Sequence, residues 1–193
     1  MILYCATSNP GKLREFRRVA GAGWTIEPLR DLAGIPAPDE TGTTFEENAL
    51  LKARYYAEYA GGAAVFAEDS GLEVDALGGA PGVYSARFGG HGADDDANNR
   101  LLLDRLRGEG NRTARYVAVI ALVLPGEEPR TFRGTVEGEI LEAPRGSGGF
   151  GYDPLFFYPP FGSTFAEVPA EQKQTVSHRG RAAEQMMGFL AGR

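Results

Sequence analysis

Residues 63–66 (AAVF) form a short apolar run behind Gly61 and Gly62, and the chain then turns acidic at once through Glu68, Asp69, Glu73 and Asp75. An apolar run of this length between turn residues reads as a short buried strand. Carboxylates that follow directly on a buried strand leave few folds open, because they are expected at or just past the strand's end, where an α/β sheet gathers its site. Ser70 and Gly71 are expected to turn the chain there. The next stretch, LGGAPG at residues 77–82, holds too much glycine and proline for a regular element and should be a shaped loop. Paired acids beside such a loop suit a divalent cation, since hard oxygen ligands match Mg2+. A solvated acidic turn is the competing reading.

Upstream, residues 2–6 read as a strand that begins almost at the first residue. Thr7, Ser8, Asn9, Pro10, Gly11 and Lys12 follow, and then Leu13, Phe16 and Val19 at helical spacing. Strand, small polar turn and helix is the geometry in which backbone N–H groups and the positive end of a helix dipole hold phosphate, with Lys12 adding charge. The Walker A spacing is missing, so any phosphate role rests on a different loop. An ordinary helix capped by Ser8 or Asn9 is the alternative. Residues 24–29 suggest a second strand and residues 32–44 a loop. Thr44 and Glu47 then form a predicted capping box on a helix whose apolar side carries Phe45, Ala49, Leu50, Ala53, Tyr56, Ala57 and Ala60. Glu40 in that loop and Lys52 in that helix precede the acidic strand, so both could face the cleft that Asp69 faces, a surface charge being the alternative at each.

Beyond Phe88, Asp94, Asp95 and Asp96 are expected to open a helix carrying Leu101, Leu102, Leu103 and Leu106. Acids in a first turn compensate the helix dipole, which explains them better than a metal site does. Residues 114–124 and 130–137 read as an antiparallel hairpin of architectural purpose. Residues 145–153 (RGSGGFGYD) form a second shaped loop, in which Phe150 and Tyr152 offer faces for a base to stack on and Asp153 an acceptor, a glycine-rich hairpin with buried aromatics being the alternative. Lys173 and the run Ser177, His178, Arg179, Gly180 and Arg181 precede a C-terminal helix through Ala182, Met186, Phe189 and Leu190, with Ser177 as its expected cap. Cations before a helix N-terminus are electrostatically costly, and an anionic or acceptor-rich ligand would compensate them.

The 193 residues allow one domain spanning 1–193, or two lobes sharing a sheet, with a substantial core. A net charge of −6 argues against nucleic acid or an anionic membrane as the main partner, so an anionic substrate must meet a local cluster of cations. Cys5 is the one cysteine, which rules out an internal disulfide and fits a reducing cytoplasm. No apolar run approaches the roughly 20 residues of a membrane span, and the basic start and long apolar core of a signal peptide are missing, so a soluble intracellular protein is expected.

TSNPGK at residues 7–12, TFEENALLKA at 44–53, EDSGLEVDALGGAPGVYSARF at 68–88, GGFGYDPLF at 148–156 and SHRGRA at 177–182 stand in order along nearly the whole chain. Together they closely resemble the inosine triphosphate pyrophosphatase family, whose members hydrolyse ITP, dITP and XTP to the monophosphate and pyrophosphate. The resemblance implies an α/β fold: an elongated mixed β-sheet with flanking helices, and two lobes around a central nucleotide-binding groove. It also implies Mg2+ and a homodimer. Carried over by position, Thr7, Ser8, Asn9, Pro10, Gly11 and Lys12 resemble the triphosphate loop, with Lys52 adding charge. Glu40, Glu68 and Asp69 match the metal-binding acids, Asp69 the general base and Ser70 a substrate contact. Phe150, Gly151, Tyr152, Asp153, Lys173, His178 and Arg179 match the base and ribose pocket. Gln174 departs from the pattern, which has asparagine after the lysine.

The residue types agree with that chemistry independently. Water attacking the phosphorus of a polyanion needs cations on the phosphates, charge neutralisation by a metal and a carboxylate to orient and deprotonate the water. A nucleotide-binding module without hydrolysis would not need Glu40, Glu68 and Asp69 together, and a phosphatase of another class would release orthophosphate.

Overall fold

The computed structural model describes residues 1–21 and 23–193. Its strands are β1 (Ile2–Cys5), β2 (Thr25–Pro28), β3 (Val65–Val74), β4 (Thr113–Val123), β5 (Arg130–Ile140), β6 (Phe156–Tyr158) and β7 (Ser163–Thr164). Its helices are α1 (Pro10–Arg18), α2 (Phe45–Ala57), α3 (Asp95–Arg105), α4 (Ala170–Gln174) and α5 (His178–Ala191). The strands make one mixed sheet in the order β2-β1-β3-β4-β5-β6-β7. Strand β1 runs parallel to β2 and β3, and β6 antiparallel to β5 and β7. The expected mixed α/β sheet with helices is therefore present.

Contacts divide the chain into two compact units, one of Met1–Asp69, Ala118–Gly134 and His178–Arg193, the other of Ser70–Val117 and Thr135–Ser177. In the first unit one core gathers Leu3 and Cys5 from β1, Phe16 from α1, Phe66 from β3, Ile120 and Leu122 from β4, and Met186 and Leu190 from α5. Phe16 and Phe66 meet edge to face with centroids 5.0 Å apart, an arrangement that adds to area burial. Gly134 is required on β5 because a Cβ there would run into the His178 carbonyl and the Ala182 amide at the start of α5.

The second unit has its own core of Leu72, Val74, Leu102, Leu106, Tyr116, Val136, Phe156 and Phe165. Here β4 and β5 run in opposite directions, as the hairpin reading expects. The Ile140 N–H donates to the Arg112 carbonyl at 2.9 Å, and farther along Arg115 pairs with Glu137 at 3.1 Å.

One expectation is corrected. Strand β3 neither stops before the acids nor turns at Ser70 and Gly71, but runs on through them to Val74. Leu72 and Val74 resume the apolar pattern and are fully buried, which draws the strand onward. Gly71 allows it, because a Cβ there would collide with the Ser85 side chain and the Gly82 carbonyl. The Ser85 hydroxyl accepts from the Leu72 N–H at 2.8 Å. Glu68 and Asp69 thus lie within a central strand and are buried, each 6% exposed, so the solvated-turn reading fails. The glycine–proline stretch that follows is shaped as expected, with short 3-10 turns at Asp75–Leu77 and Gly82–Arg87 and an isolated bridge from Glu73 to Pro81.

Candidate active site

Neighbouring residues of a strand send their side chains to opposite faces, and the partners of Glu68 and Asp69 divide accordingly. Asp69 meets α2. That helix starts at the predicted capping box, in which the Thr44 hydroxyl accepts from the Glu47 N–H at 3.1 Å while the Glu47 carboxylate accepts from the Thr44 N–H at 3.2 Å. With the start fixed, Asn48 and Lys52, four residues apart, share a face. Lys52 Nζ donates to Asp69 Oδ1 at 2.7 Å and to Glu40 Oε1 at 3.1 Å. Asn48 Nδ2 donates to Asp69 Oδ2 at 3.4 Å, while its Oδ1 accepts from the Gly42 N–H at 2.8 Å and ties down the loop that bears Glu40. Burial pushes the Asp69 carboxyl above its ordinary pKa, more than the Lys52 charge and hydrogen bond pull it down. Burial alone would lower Lys52, but the Asp69 and Glu40 carboxylates outweigh it and leave the ammonium above the ordinary lysine value.

Glu68 meets α1 and α5. Lys12 Nζ lies 2.7 Å from its Oε2, and Arg179 Nε donates to its Oε1 at 2.9 Å. The same guanidinium reaches Glu15 Oε2 at 3.0 Å through Nη1. Glu15, Glu68 and Arg179 are all buried, where an ion survives only when paired and hydrogen-bonded. Two carboxylates against Lys12 and Arg179 satisfy that condition. Of the two candidate caps, Asn9 is the one used: its Oδ1 accepts from the Gly11 and Lys12 N–H groups at 2.8 and 3.1 Å. Pro10 holds the first helical position, and Thr7 Oγ1 accepts from the Asn9 N–H at 3.2 Å. Cys5 lies close by, its thiol pushed strongly up by burial and by the Glu68 charge.

The second unit gathers the aromatic loop. Asp153 is buried, and its Oδ2 accepts from Lys173 Nζ at 2.7 Å and from the Phe150 N–H at 3.0 Å. Its Oδ1 accepts from the Tyr116 hydroxyl at 3.3 Å. Lys173 Nζ also stands 5.0 Å from the centre of the Phe150 ring. Gly149 has φ +72°, and a Cβ on it would strike the Asp153 carboxylate, so only glycine fits. The Tyr152 hydroxyl donates to the Ser85 carbonyl at 2.7 Å, and burial raises its pKa well above the ordinary value. The Gln174 amide is buried with neither Nε2 nor Oε1 hydrogen-bonded among the described residues.

Three groups therefore emerge from the candidate residues: Asp69, Lys52 and Glu40; Glu68, Lys12 and Arg179; and Asp153, Lys173 and Phe150. Lys12 and Lys52, both read as phosphate cations, meet different acids. Helix α5 begins at His178, so His178, Arg179, Gly180 and Arg181 form its first turn and do not precede it as expected; Ser177 and His178 are buried there, and Ser70 is half-buried on β3. Among the described residues no three acids, histidines or cysteines gather closely enough to form a metal cage alone. Sequence reasoning passed over Asn48, Glu15 and Tyr116. Asn48 was findable, standing four residues before Lys52 on one helical face. Glu15 and Tyr116 carry no local signal, since their partners lie far along the chain.

A mixed open sheet with buried acid–cation groups along its central strand, together with an aromatic, glycine-rich loop, defines an α/β enzyme. The sequence pattern of the Ham1 family matches residues 3–189, and this chain belongs to that family. It is 54% identical over 187 residues to the dITP/XTP pyrophosphatase of Exiguobacterium sp., covering 96% of this chain and 95% of that protein. It is 53% identical to a dITP/XTP pyrophosphatase of Thermus thermophilus, covering 97% of this chain and 90% of that protein. Among solved structures, the Staphylococcus aureus Ham1 protein superposes with a TM-score of 0.90 at 41% identity, covering 100% of this chain and 99% of that one. A HAM1 protein from Coxiella burnetii gives 0.91 at 37% identity, with 100% of both chains covered.

Proposed function

We propose that this protein hydrolyses the nonstandard purine nucleoside triphosphates dITP, XTP and ITP to the monophosphate and pyrophosphate, and so removes them from the nucleotide pool. The observation that carries the reading is the Asp69 carboxylate, buried within the central sheet and fixed by Lys52 at 2.7 Å, with Glu40 on the same ammonium. The names of relatives about half identical over nearly the whole chain support the choice of substrate. Asp69 serves as the general base that orients the attacking water and takes its proton. Lys12 and Lys52 hold the triphosphate, which lies against the loop of Thr7, Ser8, Asn9, Pro10 and Gly11. Phe150 stacks the base, while Asp153, Lys173, His178 and Arg179 contact the base and ribose; Tyr152, buried with its hydroxyl on the Ser85 carbonyl, supports the loop from the core side instead of offering a face to the base as the sequence suggested. Ser70 is a further substrate contact.

Mg2+ belongs to the same proposal. The donor set fits it: an ammonium shared by Glu40 and Asp69 stands where a cation is wanted, and Mg2+ is ordinarily held by one or two carboxylates plus substrate phosphates rather than by a closed cage. Glu40 and Asp69 are the direct ligands on this reading, and Glu68, engaged by Lys12 and Arg179, supports them from the adjacent position. When bound, Mg2+ neutralises charge on the phosphates. We further propose a cytoplasmic homodimer. No helix among the described residues is long and apolar enough to cross a membrane.

The test is a panel of ITP, dITP, XTP, GTP and ATP with Mg2+, read for pyrophosphate and orthophosphate separately. Pyrophosphate from ITP and XTP, far faster than from ATP, is expected. Orthophosphate as the product, or comparable rates for ATP and ITP, would overturn the function.

A further inference from the structure

Of the three acids that open α3, only Asp94 caps it, accepting from the Ala97 N–H at 2.7 Å. Asp95 turns its carboxylate to the aromatic loop, where Oδ2 accepts from the Gly151 N–H at 2.6 Å. Four residues on, on the same face of α3, Asn99 Nδ2 donates to the Gly151 carbonyl at 3.0 Å. Both backbone groups of one residue, the one between Phe150 and Tyr152, are thus gripped by a single helix. We infer that Asp95 and Asn99 are positioning residues, which set the aromatic loop and through it the discrimination between purine bases. This rests on the nucleotide reading proposed above.

The grip acts on a flexible point. Gly151 has φ +63°, where glycine is free to move, so the direction of the Phe150 ring depends on what fixes that peptide. The grip is also strong, because a peptide N–H bound to a carboxylate makes a charge-assisted hydrogen bond. Helix α3 is a firm base for it. Leu102 and Leu106 anchor its far end in the core, and Asn98 accepts from the Gly89 N–H at 2.7 Å and donates to the Ala86 carbonyl at 3.3 Å. Asn99 gives its Nδ2 to the loop although its Oδ1 is left buried with no hydrogen-bond partner among the described residues. An amide that served only the fold would gain by satisfying both ends. On the other side of Gly151, Asp153 holds the Phe150 N–H and Lys173. The Phe150 face and the Asp153 carboxylate are therefore set relative to α3. A 6-oxo purine differs from adenine only in which edge atoms donate and which accept, so a pocket tells them apart only while its groups are held in place.

The test uses the full chain with Asp95→Ala and Asn99→Ala combined, Asp95→Asn as the conservative variant that keeps an acceptor, and circular dichroism as the folding control. Steady-state kinetics are measured on ITP, XTP and ATP by pyrophosphate release. The expected result is a KM for ITP and XTP raised about tenfold, a smaller change in kcat, and an ITP-over-ATP preference reduced about tenfold, since the loop loses its hydrogen bonds while the phosphate end keeps its own. Asp95→Asn should keep most of the preference. A folded double variant with unchanged KM and preference, or with kcat lowered equally for all three nucleotides, would overturn the inference and leave the proposed function standing. If the double variant does not fold, Asn99→Ser alone decides by the same ratio. A wild-type protein that releases no pyrophosphate would sink the function, and the positioning role with it.

Discussion

Asp69 is the general base of the proposed reaction, and its setting makes Asp69→Asn informative. Asparagine keeps the shape and an oxygen for Lys52 but removes the base. Turnover is expected to fall by on the order of 10² or more, the cost of losing a general base. The melting temperature should move little, because burial already opposes the charged form of this carboxyl. Near-normal turnover would remove Asp69 from the mechanism. Lys12 poses a separate question, since its ammonium lies 2.7 Å from Glu68 at the start of α1. In Lys12→Ala, binding of a non-hydrolysable triphosphate analogue should weaken well beyond that of the monophosphate, measured by calorimetry. Equal losses for both would show that Lys12 does not read the distal phosphates.

At the scale of elements, α2 shows how a local signal places a distant group. The capping box fixes where the helix starts, and the start fixes that Asn48 and Lys52 face Asp69. The Glu47 carboxyl is held below its ordinary pKa of 4.5, chiefly by the Thr43 backbone N–H, then by the Thr43 hydroxyl and the Thr44 groups. A carboxyl lowered on folding contributes stability above its ordinary value and loses that contribution as pH falls through the lowered one. The stability difference between wild type and Glu47→Ala should therefore be full at neutral pH and shrink as pH drops below 4.5, followed by urea denaturation. A difference that does not change with pH would mean that the ionised box is not what holds the helix start. Strand β3 carries the second lesson of this scale. Gly71, by admitting Ser85, lets one strand run through the acids, and this turns an acidic stretch into two buried and separately paired carboxylates.

For the whole molecule, the charge pattern raises the matter of a cation. The net charge is −6, and Glu40 and Asp69, the carboxylates assigned to Mg2+, already share the Lys52 ammonium. Metal and triphosphate should therefore bind together, the phosphates taking over the lysines as the metal takes the acids. Chelation of divalent metal is expected to abolish pyrophosphate release and Mg2+ to restore it. A triphosphate analogue should raise the melting temperature much more with Mg2+ than without, as linkage requires when the ligand binds the folded state. Full activity in chelator, or equal thermal shifts with and without Mg2+, would overturn the metal assignment.

Much of this protein was legible in the chain. The Thr44–Glu47 box, the Asn9 cap, the α3 start at Asp94 and the glycine-rich loop around Phe150 are short-range patterns, in which each group finds its partner within a few residues. The five ordered motifs carried the family and, with it, the sheet. The course of β3 was not legible, because acids next to serine and glycine look like a turn until Leu72 and Val74 have a core to enter. Nor were the partners legible: Arg179 reaches Glu68 across 111 positions and Glu15 across 164. Sequence alone determined which groups were available and where local elements begin. Only the tertiary structure decided which carboxylate meets which cation, because burial leaves no charge unpaired and the pairing depends on which elements the sheet brings side by side.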